Sequence, residues 1–451
     1  MKNLFMFLAA FMAFLLSGLQ RFPSRMDTFT TRAKPMQYLH KIVILLFLLF
    51  QTTVLLAQSD SAKTGKQISQ KDLIDYLRHY TKSKGKAPDT NLQVGKLYKT
   101  YLPVVGYGPA VGFVFGGGIS FSSLLGDAKT THISSALLNA SVTTKEQFYM
   151  NLRTNLYLPN DKWILQGDFR IMLYAQPTYG LGIQKNEFDS GQNMRFNYFR
   201  FYEKAYRNVA KHFYVGMGIQ LDKHFKIRDE QLDLDLPELR VTDHYAYSQA
   251  KGFNPEKYTT FGLSLDFLYD SRDNSINCYK GGYAQLSYRQ NLSFLGSSQN
   301  SSSLFYDLRK YFVIDNRAAD KSILAFWSWG QFNTSGNIPY LALPSIGWDT
   351  YNRSGRGYVQ GRLRGTNMVY LESEYRFPLT ANGFLGAVIF VNGTNASSDF
   401  QKQSLFNSMA IGYGAGFRVK MDKRSRTSIG VDLGMENWNT KRIYFNLQEC
   451  F

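Results

Sequence analysis

The chain has 451 residues, with 52 Lys and Arg against 34 Asp and Glu, a formal net charge of +18, and 30 Tyr, 35 Phe and 37 Gly at a mean hydropathy of −0.28. A sequence rich in aromatics yet not apolar on average is the balance expected where lipid-facing and water-facing residues alternate along strands. The basic residues are scattered rather than clustered, so the charge points to lipid head groups and a wet lumen and speaks against nucleic acid as a partner.

Two apolar runs open the chain, at 4–19 and 42–57, each preceded by a basic residue and neither long enough to span a bilayer comfortably. Both have the form of secretory leaders. The second ends in Leu55-Leu56-Ala57 and is followed by the polar stretch QSDSAKTGKQ, so translation is expected to start at Met36 and cleavage to follow Ala57. Beyond residue 57 no apolar run suffices for a helical span, and a membrane protein built from the rest must be a barrel. Residues 58–97 form a short polar periplasmic tail with one amphipathic helical segment at 71–80, whose Leu73, Ile74 and Leu77 share a face.

From there the chain breaks into period-two segments. The expected strands are 109–123, 131–143, 146–157, 162–174, 177–184, 192–206, 209–222, 257–270, 281–293, 302–314, 321–334, 366–377, 383–393, 408–419, 425–435 and 440–451. Their even number, about sixteen, suits a single-chain bacterial barrel, here assigned to 98–451. In 257–270, Phe261, Leu263, Leu265, Phe267 and Tyr269 oppose Gly262, Ser264, Asp266 and Asp270; in 425–435, Thr427, Ile429, Val431 and Leu433 oppose Ser428, Gly430, Asp432 and Gly434. One face suits lipid and the other water.

The connections carry orientation. TKE, RNVAK, SRDN through Lys280, IDNRAADK, PLTANG and MDKRSR are short, whereas 224–255 and 335–365 are long; short turns are expected on the periplasmic side together with both termini. Cys278 and Cys450 show no CxxC or metal spacing and are expected on opposite walls, too far apart to bridge.

The stretch Arg353–Pro378, RSGRGYVQGRLRGTNMVYLESEYRFP, begins Gly- and Arg-rich and then alternates, placing Met368, Tyr370, Glu372, Glu374 and Arg376 on one face. Its RGY at Arg356, Gly357 and Tyr358, the GRLRG at 361–365, the strand ending EYRFPL, the TYGLG at 178–182 and the DSRDN at 270–274 together resemble the bacterial surface antigen superfamily. These are outer-membrane barrels that include the BamA and TamA assembly factors and the two-partner secretion pores. The resemblance implies a long loop folded into the lumen with its tip Arg anchored on the inner wall. The inward faces offer Glu374 and Asp432 as partners for Arg356, in the charge-assisted geometry that an Arg fork favours. A final strand carrying Tyr444, Phe445, Leu447 and an aromatic last residue, Phe451, fits the same pattern.

Gly116, Gly117 and Gly118 fall in the first expected strand, which must pair with 440–451. They are either a weak seam able to open sideways or an accommodation to curvature. The 58–97 tail is too short for the polypeptide-transport-associated domains that assembly factors of this superfamily normally carry. The histidines, His40, His79, His132, His212, His224 and His244, stand in no hydrolase signature. Neither a catalytic site nor a cofactor is expected. The acidic loop residues Asp229, Glu230, Asp233, Asp235 and Glu238 do not match a calcium-loop spacing. Two functions remain: insertion or translocation of polypeptides with periplasmic partner proteins, or a passive pore that kept the fold.

Overall fold

Alternation along the chain becomes sixteen antiparallel strands in one sheet, each hydrogen-bonded to its neighbours in sequence order. The computed structural model describes residues 69–81, 93–108, 111–183, 191–235, 240–315, 318–423, 425–436, 440–447 and 449–451. The expected leader, with its start at Met36 and cut after Ala57, lies outside the described residues.

A helix, α1 (Leu73–Thr81), precedes strands β1 (Leu97–Gly108), β2 (Gly112–Ser123), β3 (Ser134–Thr143), β4 (Phe148–Tyr157), β5 (Trp163–Thr178), β6 (Gln192–Ala210) and β7 (Phe213–Asp229). A second helix, α2 (Asp243–Ala250), sits in the next connection, followed by β8 (Lys257–Asp270), β9 (Gly281–Asn291), β10 (Ser301–Asp315) and β11 (Ser322–Gly336). After a long loop come β12 (Met368–Pro378), β13 (Leu385–Ala396), β14 (Ala410–Asp422), β15 (Thr427–Glu436) and β16 (Lys441–Leu447). The fold is a transmembrane-type β-barrel with one face of each strand outside. On β8, Leu263, Leu265, Phe267 and Tyr269 are exposed while Ser264 and Asp266 are buried.

Two errors of the sequence reading cancel in the strand count. The first strand is β1, absent from the expected set because Pro103 and the apolar pair Val104-Val105 interrupt its alternation. Proline supplies no N–H to a ladder and is tolerated on an edge strand, which β1 is. Conversely, 162–174 and 177–184 are not two strands: β5 runs unbroken to Thr178, with Pro177 near its end, and residues from 179 leave the sheet. Gly116, Gly117 and Gly118 therefore lie in β2, paired with β1 on one side and β3 on the other, and not beside the last strand. The TKE turn also changes ends, since β3 and β4 meet at the end where the long loops lie.

The core of this molecule is inside the barrel. Residues of the 337–367 connection, among them Tyr340, Ile346, Tyr358 and Leu363, pack into two buried clusters with wall aromatics such as Tyr198, Phe196, Trp327, Trp329 and Tyr370. Cys278 and Cys450 are free, buried thiols, and both belong to one of those clusters.

α1 docks at the short-turn end. Its start is closed by reciprocal caps, Asp75 N–H to Asp72 Oδ1 (2.8 Å) and Asp72 N–H to Asp75 Oδ2 (3.1 Å). Asp72 accepts from Lys423 N (3.0 Å), Asp75 from Lys423 Nζ (2.7 Å), and the Tyr76 ring lies 4.5 Å from Phe384. The polar and aromatic side thus faces the barrel, and Ile74 and Leu77 of the expected apolar face are exposed.

Candidate functional site

The 337–367 loop is held in the lumen by its own turns and by the wall. Asp349 organises the descent, accepting from the N–H groups of Tyr351, Arg353 and Ser354 and from Ser354 Oγ (2.7–3.0 Å). At the tip, Gly357 has φ +112, and a Cβ there would lie 2.6 Å from Met435 O, so only glycine lets the loop lie flat on β15. Gly357 N–H donates to Tyr444 Oη (3.0 Å), which in turn donates to Tyr358 O (2.9 Å), while Tyr358 Oη donates to Ile411 O (2.8 Å). Tyr444 of β16 thereby touches the loop directly.

Arg356 projects from this tip into a carboxylate cage. Its Nη1 donates to Asp432 Oδ2 (2.9 Å) and its Nη2 to both Glu372 and Glu374, with the guanidinium 3.6 Å from the Phe390 ring centroid. Arg356 is 3% exposed, Glu372 4%, and Glu374 and Asp432 0%. The period-two faces of β12 and β15 dictate this: residues 372, 374 and 432 all point inward. The structure brings together Arg356, Glu374 and Asp432 as the sequence suggests. Glu372, Arg376, Arg418 and the Phe390 ring complete the cage. Arg376 Nε donates to Glu374 Oε2 (2.7 Å) and Arg418 Nη1 to Asp432 Oδ1 (2.5 Å). Glu372 was legible, lying on the same face as Glu374; Arg418 and Phe390 come from other strands and carry no local signal.

The last expected strand is shorter than its sequence suggests. Tyr444 points inward, Phe445 is 52% exposed on the outer face, and β16 stops at Leu447. Phe451 is not the end of a strand but lies inside the barrel, 5.2 Å between ring centroids from Trp327. A strand register cannot carry it there, because Glu449 and Phe451 follow buried charge and aromatic partners instead of the ladder.

β1 and β16 lie side by side, yet among the described residues no ladder joins them. This unladdered pair lies one strand away from the glycines of β2.

At the long-loop end, α2 closes over the lumen loop. Tyr247 Oη donates to Ile338 O (2.9 Å) and Leu341 N–H to Tyr258 Oη (3.0 Å). Its His244 links Asp229 (2.9 Å) to Ser248 (3.4 Å), an arrangement with the order of a hydrolase triad. Ser248 is 0% exposed and sits one helical turn after His244, which is itself buried. The acidic residues of this loop disperse: the Asp229 carboxylate to His244, that of Glu230 to Arg195, and that of Asp233 to the N–H of Asp235. Among the described residues the one convergent set of potential metal ligands is Glu372, Glu374 and Cys450, and Arg356 already binds both of its carboxylates.

The family model for the Omp85 superfamily domain matches residues 134–449, more than half of the chain. The chain belongs to the Omp85 superfamily. This is the BamA- and TamA-like group that the RGY and EYRFP motifs resemble. Among solved structures, BamA from Haemophilus ducreyi lacking POTRA domains 1–3 is similar over 78% of this chain and 70% of its own, at 15% identity and a TM-score of 0.52. CdiB from Acinetobacter baumannii is similar over 78% of this chain and 60% of its own, at 14% identity and a TM-score of 0.48. None of the curated proteins compared with the sequence matches it. Family and fold make this Omp85 chain an outer-membrane β-barrel and point to the bacterial outer membrane.

Proposed function

We propose that this barrel assists insertion or translocation of polypeptides at the outer membrane, opening between β1 and β16. The observation that carries the reading is the seam: fifteen strand pairs are laddered, and the sixteenth, β1 with β16, is not among the described residues. Unpaired strand edges template the pairing of another chain. A lumen filled by the clamped loop directs traffic sideways instead of through the axis. Lipid and polypeptide clients are the direct partners, and periplasmic partner proteins deliver the clients. Export proceeds through a leader cleaved after Ala57, and the chemistry is non-enzymatic. The test is reconstitution in phospholipid vesicles with a urea-unfolded client barrel, comparing a disulfide-locked seam with the same protein reduced. Client insertion should accelerate only when the seam is free; equal rates in both states overturn the reading.

One observation favours a passive pore instead. The inward residues of β2 to β4, including Ser120, Ser122, Asn139, Asn151 and Asn155, are only partly buried, unlike the inner wall under the loop. A polar lane lined by these residues and by Arg153 beside them suits small solutes. Steady single-channel conductance unaffected by the seam lock would support it.

A further inference from the structure

Residues 449–451 leave the sheet and enter the lumen, and each is at most 6% exposed. Arg418 Nε donates to Glu449 Oε2 (2.8 Å), Arg353 donates to Glu449 O, and Cys450 Sγ lies 3.4 Å from Arg353 O. Arg376 Nη2 donates to Phe451 O (2.8 Å), and the Phe451 ring sits between Trp327 and Tyr311 at centroid distances of 5.2 and 6.2 Å. A short segment with three polar anchors and an aromatic plug is docked, not trailing.

Charge explains why it docks there. Arg353, Arg356, Arg376 and Arg418 gather around the loop tip, while the wall supplies Glu372, Glu374 and Asp432. Glu449 adds a further carboxylate to this cluster, pairing with Arg418. Buried guanidinium groups without a counter-charge are costly, so the cage and the segment stabilise each other. Two chains of contacts lead from the segment to the loop tip. One runs Glu449, Arg418, Asp432, Arg356; the other runs Phe451 O, Arg376, Glu374, Arg356.

We infer that residues 449–451 are a latch coupling the lumen loop to β16, so that the clamp at Arg356 and the inner end of the seam strand engage and release together. The consequence for opening rests on the proposed function; the docking and the coupling rest on these contacts alone. Two elements whose ion pairs share members in this way form one cooperative unit, because undocking either leaves the other with an unmatched buried charge.

Cys450 is a native reporter, since the chain has two cysteines. The full-length barrel carrying Cys278→Ser is labelled with a maleimide, in detergent and in vesicles. Docked Cys450 should react on the order of 100-fold more slowly than a cysteine placed in an exposed loop, as expected for a group reached only by local opening. Arg418→Gln should raise its rate about tenfold or more. Arg356→Gln, which removes no hydrogen bond to the three residues although Cys450 lies beside its partners Glu372 and Glu374, should raise it as well, whereas Arg289→Gln, paired with Asp222 elsewhere in the lumen, should not. Where Arg356→Gln forms no heat-modifiable barrel, Tyr358→Phe, which loses only a hydroxyl at the loop tip, takes its place. Labelling of the parent at the exposed rate overturns the docking. Acceleration by Arg418→Gln with none from the loop-tip variant overturns the coupling. Labelling reads the latch whether or not the barrel assists insertion, so the two proposals fail independently.

Discussion

Replacing Arg356 by Met keeps the stem and removes the guanidinium, and the contacts say which carboxylate suffers. Glu374 retains Arg376 and Asp432 retains Arg418, but Glu372 is left with only the Tyr370 hydroxyl. Removing one partner of a fully buried pair costs about 3–5 kcal/mol, and of that about 1–3 kcal/mol is the penalty for the polar group left behind. Arg356→Met should therefore lower the temperature at which the barrel loses its compact gel migration and admit proteinase K to 337–367. Adding Glu372→Gln should recover part of the loss, and adding Glu374→Gln should not, since it also removes the Glu374 carboxylate from Arg376. The double-mutant comparison isolates the pair. An unchanged midpoint for Arg356→Met, or rescue by Glu374→Gln alone, refutes the cage as described.

Gly357→Ala meets Met435 O at 2.6 Å in a left-handed backbone and should displace the loop tip at a cost of about 1–3 kcal/mol, read in the same heat-modifiability assay. Tyr444→Phe removes a hydroxyl that serves both Gly357 N–H and Tyr358 O and should cost about 1–2 kcal/mol, whereas Phe445→Leu on the lipid face should leave the midpoint alone. Docking of α1 should depend on acid. Burial pushes the Asp75 carboxyl up, but the hydrogen bond from Lys423 and the Asp72 N–H outweigh it and hold the pKa below its ordinary value. The carboxylate's contribution is then complete above the ordinary range and lost as pH falls through the depressed pKa, which hydrogen exchange along 73–81 should report. Asp75→Asn should abolish that dependence.

The sequence carried the architecture because period two is strong where lipid and water lie on opposite sides. β8, β12 and β15 were readable residue by residue, and the inward set of β12 together with Asp432 was enough to nominate acidic partners for Arg356. What failed was local conflict with the pattern. Pro103 and Val104-Val105 hid β1, Pro177 split β5, and the resulting shift moved Gly116, Gly117 and Gly118 to a seam they do not border. The fate of 449–451 was not legible at all. Glu449 and Phe451 are drawn to Arg418, Arg376 and Trp327, which lie far away in the chain, and no periodicity encodes a departure from the ladder. The exposed apolar edge of α1 illustrates the same limit: amphipathicity gave the helix, while Asp72 and Tyr76 decided which side docks.

Whether this Omp85 barrel handles polypeptides is tested most directly by depleting it in its native host and quantifying the outer-membrane proteome. Loss of other β-barrel proteins from that membrane, restored by the parent and not by a seam-locked variant, is the expected result. An unchanged barrel inventory after depletion contradicts the assembly function.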